Sequence, residues 1–144
     1  MKYLSQYTEA PISEMLTKYK AFFAFGMDQF EKAKDPNIPQ ADYTHVFQGM
    51  YAPKANAQAI LTEYAQICKA GIEQDLEENG LYNIILRELN NHECYYTGDH
   101  QSALEALDAY PGVTEALVLL IFRNKTNPKY EVRPSQPVVD AVLQ

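Results

Sequence analysis

The sequence predicts a mainly α-helical domain of the α+β class, with five to six helices and a small two-stranded β element near its N-terminal third. Two observations lead to this prediction. After residue 54, apolar residues recur every three or four positions, which is the period of helices that bury one face. Before residue 54, two short runs are rich in aromatic and β-branched residues, which favour strands.

Two short helices are predicted in the N-terminal part. The first spans Ser13 to Lys20, with Thr8 or Ser13 as its N-cap, because a hydroxyl oxygen can accept a free backbone amide of the first turn. The second helix is capped by Asp28 and ends at Lys34.

The β element is predicted from the two aromatic runs. Residues 21–25 (Ala-Phe-Phe-Ala-Phe) form an apolar run that ends at Gly26 and indicates a buried strand. Residues 43–51 indicate a second strand, closed by Pro53, that pairs with the first. Residues 35–39 contain two prolines, which lack amide donors, so this segment is predicted as a loop.

Two long helices are predicted after residue 54. One runs from Lys54 to the Asn79-Gly80 pair, and the next runs from Leu81 to about Tyr96. Each has one stripe of residues at helical spacing that we expect to be buried. The stripes are Leu61, Ala65, Cys68, Ile72 and Leu76 in the first helix, and Leu81, Ile85, Leu89, His92 and Tyr96 in the second.

Two more helices complete the predicted domain. The first is capped by Asp99 or Ser102 and stops at residues 110–112, a Tyr-Pro-Gly turn. Thr114 caps the last helix, which continues through Phe122. This helix is apolar nearly all round, so we expect it to be buried or part of an interface.

One domain is expected, because 144 residues of which 47% are hydrophobic suffice for one sizeable core. This domain covers residues 1–124. Residues 125–144 contain several prolines and are predicted to form an extended C-terminal tail. The valines of the tail are expected to pack on the body or on a neighbouring chain.

The cytoplasm is the predicted location. The N-terminus lacks the apolar region of a signal peptide, and no apolar stretch approaches the roughly 20 residues that span a bilayer. Cys68 and Cys94 lack the close spacing of a structural zinc site. We therefore expect free thiols, at least one of them buried, in a reducing compartment.

The charge of the chain is unevenly distributed. The net charge is −7, and residues 73–115 contain ten acidic residues against a single base, Arg87. This balance argues against non-specific nucleic-acid binding and against anionic membranes, since both need exposed Lys and Arg. It fits a protein partner with a basic surface, although a solvated face that only maintains solubility is the alternative. The acidic face predicted to bind such a partner is Glu73, Asp75, Glu77, Glu78, Glu93, Asp99, Glu105 and Asp108.

One polar segment is a candidate metal site. Glu88 and His92 are four residues apart on a predicted helix, so both can reach one metal ion, and Asp99 or His100 closes the coordination after the turn. The set is partial, because dinuclear carboxylate bundles need further acids and the zinc-protease spacing is absent. The alternative is structural, with His92 donating a hydrogen bond inside the core.

Other chemistry is disfavoured, and we expect no cofactor. Cys94 and His92 are two residues apart on a helix and point about 160° apart, so they cannot share a hydrogen bond. His45 stands alone in a predicted strand and is interpreted as a packed residue. No glycine-rich phosphate loop occurs, which disfavours nucleotide-dependent enzymes. Stacking of single-stranded nucleic acid on the tyrosines would also need a basic groove.

Several motifs of the chain resemble a known family. They are Phe-Phe-Ala-Phe at 22–25 with Asp-Gln-Phe at 28–30, Gly-Met-Tyr-Ala-Pro-Lys at 49–54, Gly-Ile-Glu-Gln-Asp at 71–75, Arg-Glu-Leu-Asn-Asn-His-Glu at 87–93 and Tyr-Thr-Gly-Asp at 96–99. In this order they resemble a domain of unknown function found in small proteins of bacteria, phages and mobile elements. The resemblance covers about residues 13–124 and implies a setting, but no activity.

These observations predict a small, non-enzymatic, acidic accessory protein that binds another protein. The resemblance implies that it is encoded by a phage or mobile element and acts on a host protein as a counter-defence type of inhibitor. Two alternatives stay open. One is a self-associating structural protein, a homo-oligomer held by its last helix and tail. The other is a metal-dependent enzyme centred on Glu88, His92, Glu93, Asp99 and His100.

Overall fold

The computed structural model describes residues 1–126, with side chains through residue 124. It is 66% helical with a small sheet, which confirms the predicted mainly helical class. The chain divides into two compact units, Met1–Gln74 and Asp75–Gln144, and the single domain over residues 1–124 stays a prediction. No helix in the described part combines the length and apolar composition needed to cross a bilayer.

The first unit contains three helices and the sheet. In chain order its elements are α1 (Leu4–Lys18), β1 (Phe22–Phe23), α2 (Met27–Ala33), β2 (Tyr43–Phe47), β3 (Met50–Pro53) and α3 (Ala57–Asn79), with 3-10 turns at Gln40–Asp42 and Lys54–Asn56. Helix α3 continues across the boundary, so its last residues belong to the second unit. The predicted short helix and the loop at residues 35–39 are confirmed, but the N-cap of this helix is Gly26, and Asp28, predicted as the cap, lies in its first turn.

Helix α1 begins well before the predicted start at Ser13, and Thr8, predicted as a cap, lies inside it. Pro11 also lies within the helix, where it removes one backbone hydrogen bond. Tyr7 and Met15 are both buried and lie on the same face of α1, two turns apart. We attribute the survival of the helix through Pro11 to this packing.

The sheet is antiparallel, with strand order β1–β3–β2. Phe22 of β1 lies opposite Tyr51 of β3, which confirms that the first run pairs with the second. The single strand predicted over residues 43–51 is wrong, because this segment folds as the hairpin of β2 and β3. The hairpin turns at Gly49, whose φ of +76° is a left-handed conformation that glycine adopts at little cost.

Two apolar clusters lie in the interior of the first unit. Met15, Met50, Ala52 and Ile60 form one of them. The other is aromatic and consists of Ala24, Phe30 and Tyr43, with Phe22, Ile38 and Tyr51 packed against it. The predicted burial of residues 21–25 holds only in part, since Ala24 is buried but Phe25 is 75% exposed.

Helix α3 confirms the predicted long helix but not its buried stripe. Of the five stripe residues only Ile72 is buried, and Leu61 is 39% exposed. The other buried positions lie one residue earlier than the predicted ones, at Ile60, Gly71 and Asp75. The inward face of α3 is therefore rotated from the predicted stripe by less than the 100° of one residue position, and the two overlap at Ile72.

The described part of the second unit is helical. It contains the end of α3 followed by α4 (Leu81–Asn91), α5 (Cys94–Thr97), α6 (Gln101–Ala106) and α7 (Glu115–Thr126). Helix α4 contacts α5, α6 and α7, which places it at the centre of this unit. The buried apolar side chains include Ile84, Ile85, Leu89, Leu107, Leu117, Val118 and Ile121.

The single helix predicted from Leu81 to about Tyr96 is wrong, because the chain breaks at Glu93. Glu93 has a left-handed φ of 53°, which redirects the backbone and separates α4 from α5. Ile85 and Leu89 are buried as predicted, since they precede the break. Tyr96 follows the break and is 91% exposed rather than buried.

The predicted Thr114 cap of α7 is confirmed, whereas the N-cap of α6 is His100 rather than the predicted Asp99 or Ser102. The Asp99 carboxylate accepts the Gln101 amide at 2.9 Å at the start of α6. The Thr114 hydroxyl accepts the Leu117 amide at 3.2 Å at the start of α7. Both cysteines are free, and Cys94 is buried, as expected. The predicted tail over residues 125–144 lies outside the described residues, apart from the last turn of α7.

Candidate functional site

A network of buried polar side chains lies in the second unit, around a carboxylate of α3. Arg87 Nη1 and Nη2 each donate to one oxygen of Asp75 at 2.9 Å, a bidentate ion pair. The Asn79 amide and the Tyr110 hydroxyl also donate to Asp75. Arg87 Nε donates to Glu88 at 2.9 Å. Asp75 has no exposed surface and Arg87 is 6% exposed, so the network belongs to the interior.

The network shifts the pKa values of Asp75 and Tyr110 in opposite directions. Burial alone would raise the pKa of Asp75, but the hydrogen bonds from Arg87, Tyr110 and Asn79 outweigh burial and hold that pKa below its ordinary 3.8. Burial raises the pKa of Tyr110, and the hydrogen bond that its hydroxyl donates to Asp75 raises it further. Asp75 is therefore a charged structural residue of the core.

This geometry corrects the predicted acidic face. Asp75, assigned to that face, lies inside the unit, where Arg87 and Tyr110 bind its carboxylate. Glu73 is exposed but belongs to the first unit. The exposed acids of the second unit, which we name the acidic surface, are Glu77, Glu78, Glu93, Asp99, Glu105, Asp108 and Glu115.

The acidic surface has little compensating charge. Arg87, the base of this segment, is enclosed by the buried carboxylates of Asp75 and Glu88. Arg123 is the only exposed lysine or arginine among residues 75–124. On the surface of the second unit, negative charge therefore exceeds positive charge by more than the sequence alone indicated.

The four predicted metal ligands do not converge. Glu88 contacts His92 at 3.5 Å, but the same carboxylate is bound to Arg87. His100 Nε2 lies 3.1 Å from Glu115, and the Asp99 carboxylate accepts the backbone amide of Gln101. Among residues with described side chains, no three His, Cys, Asp or Glu groups are placed to hold a metal ion. Glu88 and His92 keep their predicted proximity, but Glu88 is bound to Arg87, His100 to Glu115, and Asp99 to a backbone amide of α6, so the four side chains serve separate contacts.

A second candidate site, which sequence reasoning missed, is an open cavity of about 550 Å³ in the first unit. We name it the aromatic cleft. Its lining includes Phe25, Met27, Gln40, Tyr43, His45 and Tyr51. No charged residue lines it.

The rim of the aromatic cleft is held by local contacts. The Phe25 ring covers Gly49 so closely that a Cβ atom there would lie 2.5 Å from it. The Phe25 amide donates to the Gln29 side chain at 2.8 Å, which fixes the backbone beneath the ring. The Gly49 amide donates to His45 Nε2 at 3.2 Å and ties the turn of the hairpin to β2.

Two features of the sequence, one in each aromatic run, lie at this cleft. Gly49 interrupts the aromatic run at residues 43–51, as a hairpin turn requires, and Phe25 precedes Gly26 at the end of the other run. Their approach depends on the pairing of β1 with β3, which joins segments that are distant in the chain. Neither run alone predicts the cavity.

Comparison with protein families gives one match. The model of a family of unknown function, DUF7659, matches residues 4–120. The comparisons with curated proteins and with solved structures found no match.

Proposed function

Because the chain belongs to DUF7659, a family of unknown function, we propose its role from its own residues: a non-enzymatic accessory protein whose acidic surface binds a basic surface on a partner protein. The observation that carries this proposal is the burial of Arg87 against Asp75 and Glu88. With Arg87 buried, residues 73–115 contribute exposed carboxylates but no exposed lysine or arginine to the surface.

Electrostatic complementarity explains how such a surface would act. A surface of negatively charged carboxylates raises the rate of encounter with a positive surface and repels partners that are themselves acidic. Salt weakens this attraction, because the Debye length falls from about 10 Å at 0.1 M to about 3 Å at 1 M. The proposed complex therefore forms fastest at low ionic strength.

The partner that we propose is a host protein. The motifs of the chain resemble those of small proteins from bacteria, phages and mobile elements, and an inhibitor of the counter-defence type fits that setting. A cytoplasmic location follows from the same proposal. We expect the carboxylates of the acidic surface to contact lysine and arginine side chains of the partner. A basic surface patch is therefore the property by which the partner can be recognised.

Capture from a bacterial lysate with charge-reversed variants tests the acidic surface. The variant carries Glu77→Lys, Glu105→Lys and Asp108→Lys, all at exposed positions. Asp75 is left intact, because its reversal would break the buried pair with Arg87. We expect wild-type protein to capture a basic protein and this variant to lose it.

A matched control reverses three exposed acids in the first unit, Glu9, Glu14 and Asp42. It changes the net charge by the same amount, so overall charge cannot explain a difference between the two variants. Retention of the same partner by the control supports the proposal. Equal capture by both variants, or a captured partner with an acidic binding surface, would overturn it.

A further inference from the structure

Exposed apolar side chains concentrate at the rim of the aromatic cleft. Phe25 is 75% exposed and Met27 is 63% exposed, although both belong to residue types that are usually covered. They lie together beside a cavity of about 550 Å³, which is within the range of small-molecule sites. Exposed apolar residues grouped around a concavity are typical of binding surfaces rather than of solvated faces.

The rim is held in place before any ligand arrives. The Phe25 ring rests on Gly49, where the absence of a Cβ atom allows the contact. The Ala24 amide also donates to the Gly49 carbonyl at 2.8 Å, so the strand that carries Phe25 is tied to the hairpin turn. A side chain fixed in this way loses little conformational entropy on binding, which favours affinity.

The polar groups of the cleft select the class of ligand. His45 Nε2 accepts the Gly49 amide, so the ring proton is on Nδ1 and makes that nitrogen a donor. Gln40 adds an amide, which offers both a donor and an acceptor. The lining contains neither lysine nor arginine, so it lacks the groups that bind phosphate or carboxylate.

We propose that the aromatic cleft binds a neutral heteroaromatic ring of the size of a purine or an indole. Apolar faces of such a ring contact Phe25 and Met27, and its polar edge meets His45 and Gln40. Purine and indole rings both have apolar faces and a polar edge, so the ligand is either a nucleoside or a tryptophan derivative. This site is independent of the proposed acidic surface, since all its residues belong to the first unit.

Titration of the full chain with adenosine, AMP and N-acetyl-tryptophanamide, followed by amide NMR, tests this proposal. We expect saturable shifts of the Gly26 and Gly49 amides by adenosine or by the indole probe, with a Kd below about 1 mM. Whichever of these two probes has the lower Kd identifies the ligand as a nucleoside or as a tryptophan derivative. AMP is expected to bind no more tightly than adenosine, because no cation lines the cleft.

Two phenylalanine variants locate the binding. Phe25→Ala is expected to weaken binding at least about fivefold, by loss of a stacking surface. Phe23→Ala is the matched control, since Phe23 is also exposed and lies two residues away but does not line the cleft. Thermal melts establish that both variants are folded. Absence of saturable shifts, equal binding by both variants, or much tighter binding of AMP would overturn the proposal.

Discussion

At the scale of single residues, the pair of Asp75 and Arg87 decides how charge divides between the interior and the surface of the second unit. Each charge is removed from water, so each is tolerated only while the other is present. Asn79 and Tyr110 complete the hydrogen bonds of the carboxylate. The pair therefore specifies which side of α3 faces inward, and the exposed acids follow from that choice.

Removal of one partner tests this role. Arg87→Met leaves the Asp75 carboxylate buried without its cation, and we expect a loss of about 3–5 kcal/mol in the free energy of unfolding. Urea denaturation followed by circular dichroism measures the change. The double variant Asp75→Leu with Arg87→Met is the control, because it removes both charges of the bidentate pair and, like the single variant, leaves Glu88 with only its contact to His92 among the described residues. It is expected to lose clearly less than the single variant, and an equal loss would contradict the explanation.

The lowered pKa of Asp75 predicts a dependence of stability on pH. A carboxylate whose pKa is lower in the folded state stabilises the fold fully above its ordinary value of 3.8, and this contribution is lost as the pH falls through the folded value. The stability difference between wild type and Asp75→Asn should therefore shrink as the pH falls below about 4. Urea midpoints at pH 7, 5, 4 and 3 measure it. If the stability difference between wild type and Asp75→Asn did not change over this pH range, Asp75 would not be a carboxylate whose pKa is lowered by folding.

At the scale of elements, the sequence predicts the period of α3 but not its phase. The apolar positions Leu61 and Cys68 suggest one stripe, whereas Ile60, Gly71 and Asp75 occupy the buried side. An acidic residue is predicted to lie on the surface unless a buried partner is known. The partner of Asp75 is Arg87, which lies on a different helix. The predicted acidic face included Asp75 for the same reason.

The single strand over residues 43–51 and the unbroken helix from Leu81 to Tyr96 were wrong for a different reason, because a single left-handed residue redirects the chain in each segment. Gly49 turns the run over residues 43–51 into a hairpin, and glycine inside an aromatic run was a usable signal. Glu93 breaks the helix after α4, and a left-handed glutamate has no comparable signature in the sequence. The Thr114 cap of α7 could be predicted, because its hydroxyl bonds an amide only three residues further along the chain.

The contact between α1 and α3 gives a test of packing at this scale. A Cβ atom on Gly71 would lie 2.6 Å from the Thr8 methyl group, which is buried and has little room to move. We expect Gly71→Ala to cost about 1–3 kcal/mol, although alanine favours helix formation. Denaturant unfolding measures this cost.

Gly26 provides the control for this substitution. A Cβ atom there meets no atom within 4 Å, so Gly26→Ala should change stability by less than about 1 kcal/mol. If both alanine variants were equally stable, close packing at Gly71 would not be the reason for its glycine.

At the scale of the whole molecule, the two parts of the sequence carry charge in different ways. Residues 1–72 contain seven acids and seven bases, and several of these pair, as in Lys18 with Glu63 and Lys20 with Asp35. The exposed acids of the second unit have no such balance. Like charges on one surface repel each other and oppose the compact state.

This asymmetry predicts how salt and neutral substitutions change stability. Glu77→Gln, Glu105→Gln and Asp108→Asn together should raise the melting temperature in 10 mM salt, because they relieve repulsion within the acidic surface. Since the Debye length falls from about 30 Å at 0.01 M to below 10 Å above 0.1 M, the gain should diminish in 0.5 M salt. Neutralising Glu9, Glu14 and Asp42 in the balanced first unit should give no such gain. Circular dichroism melts of both triple variants separate the effects, and equal gains would mean that net charge, rather than its segregation, limits stability.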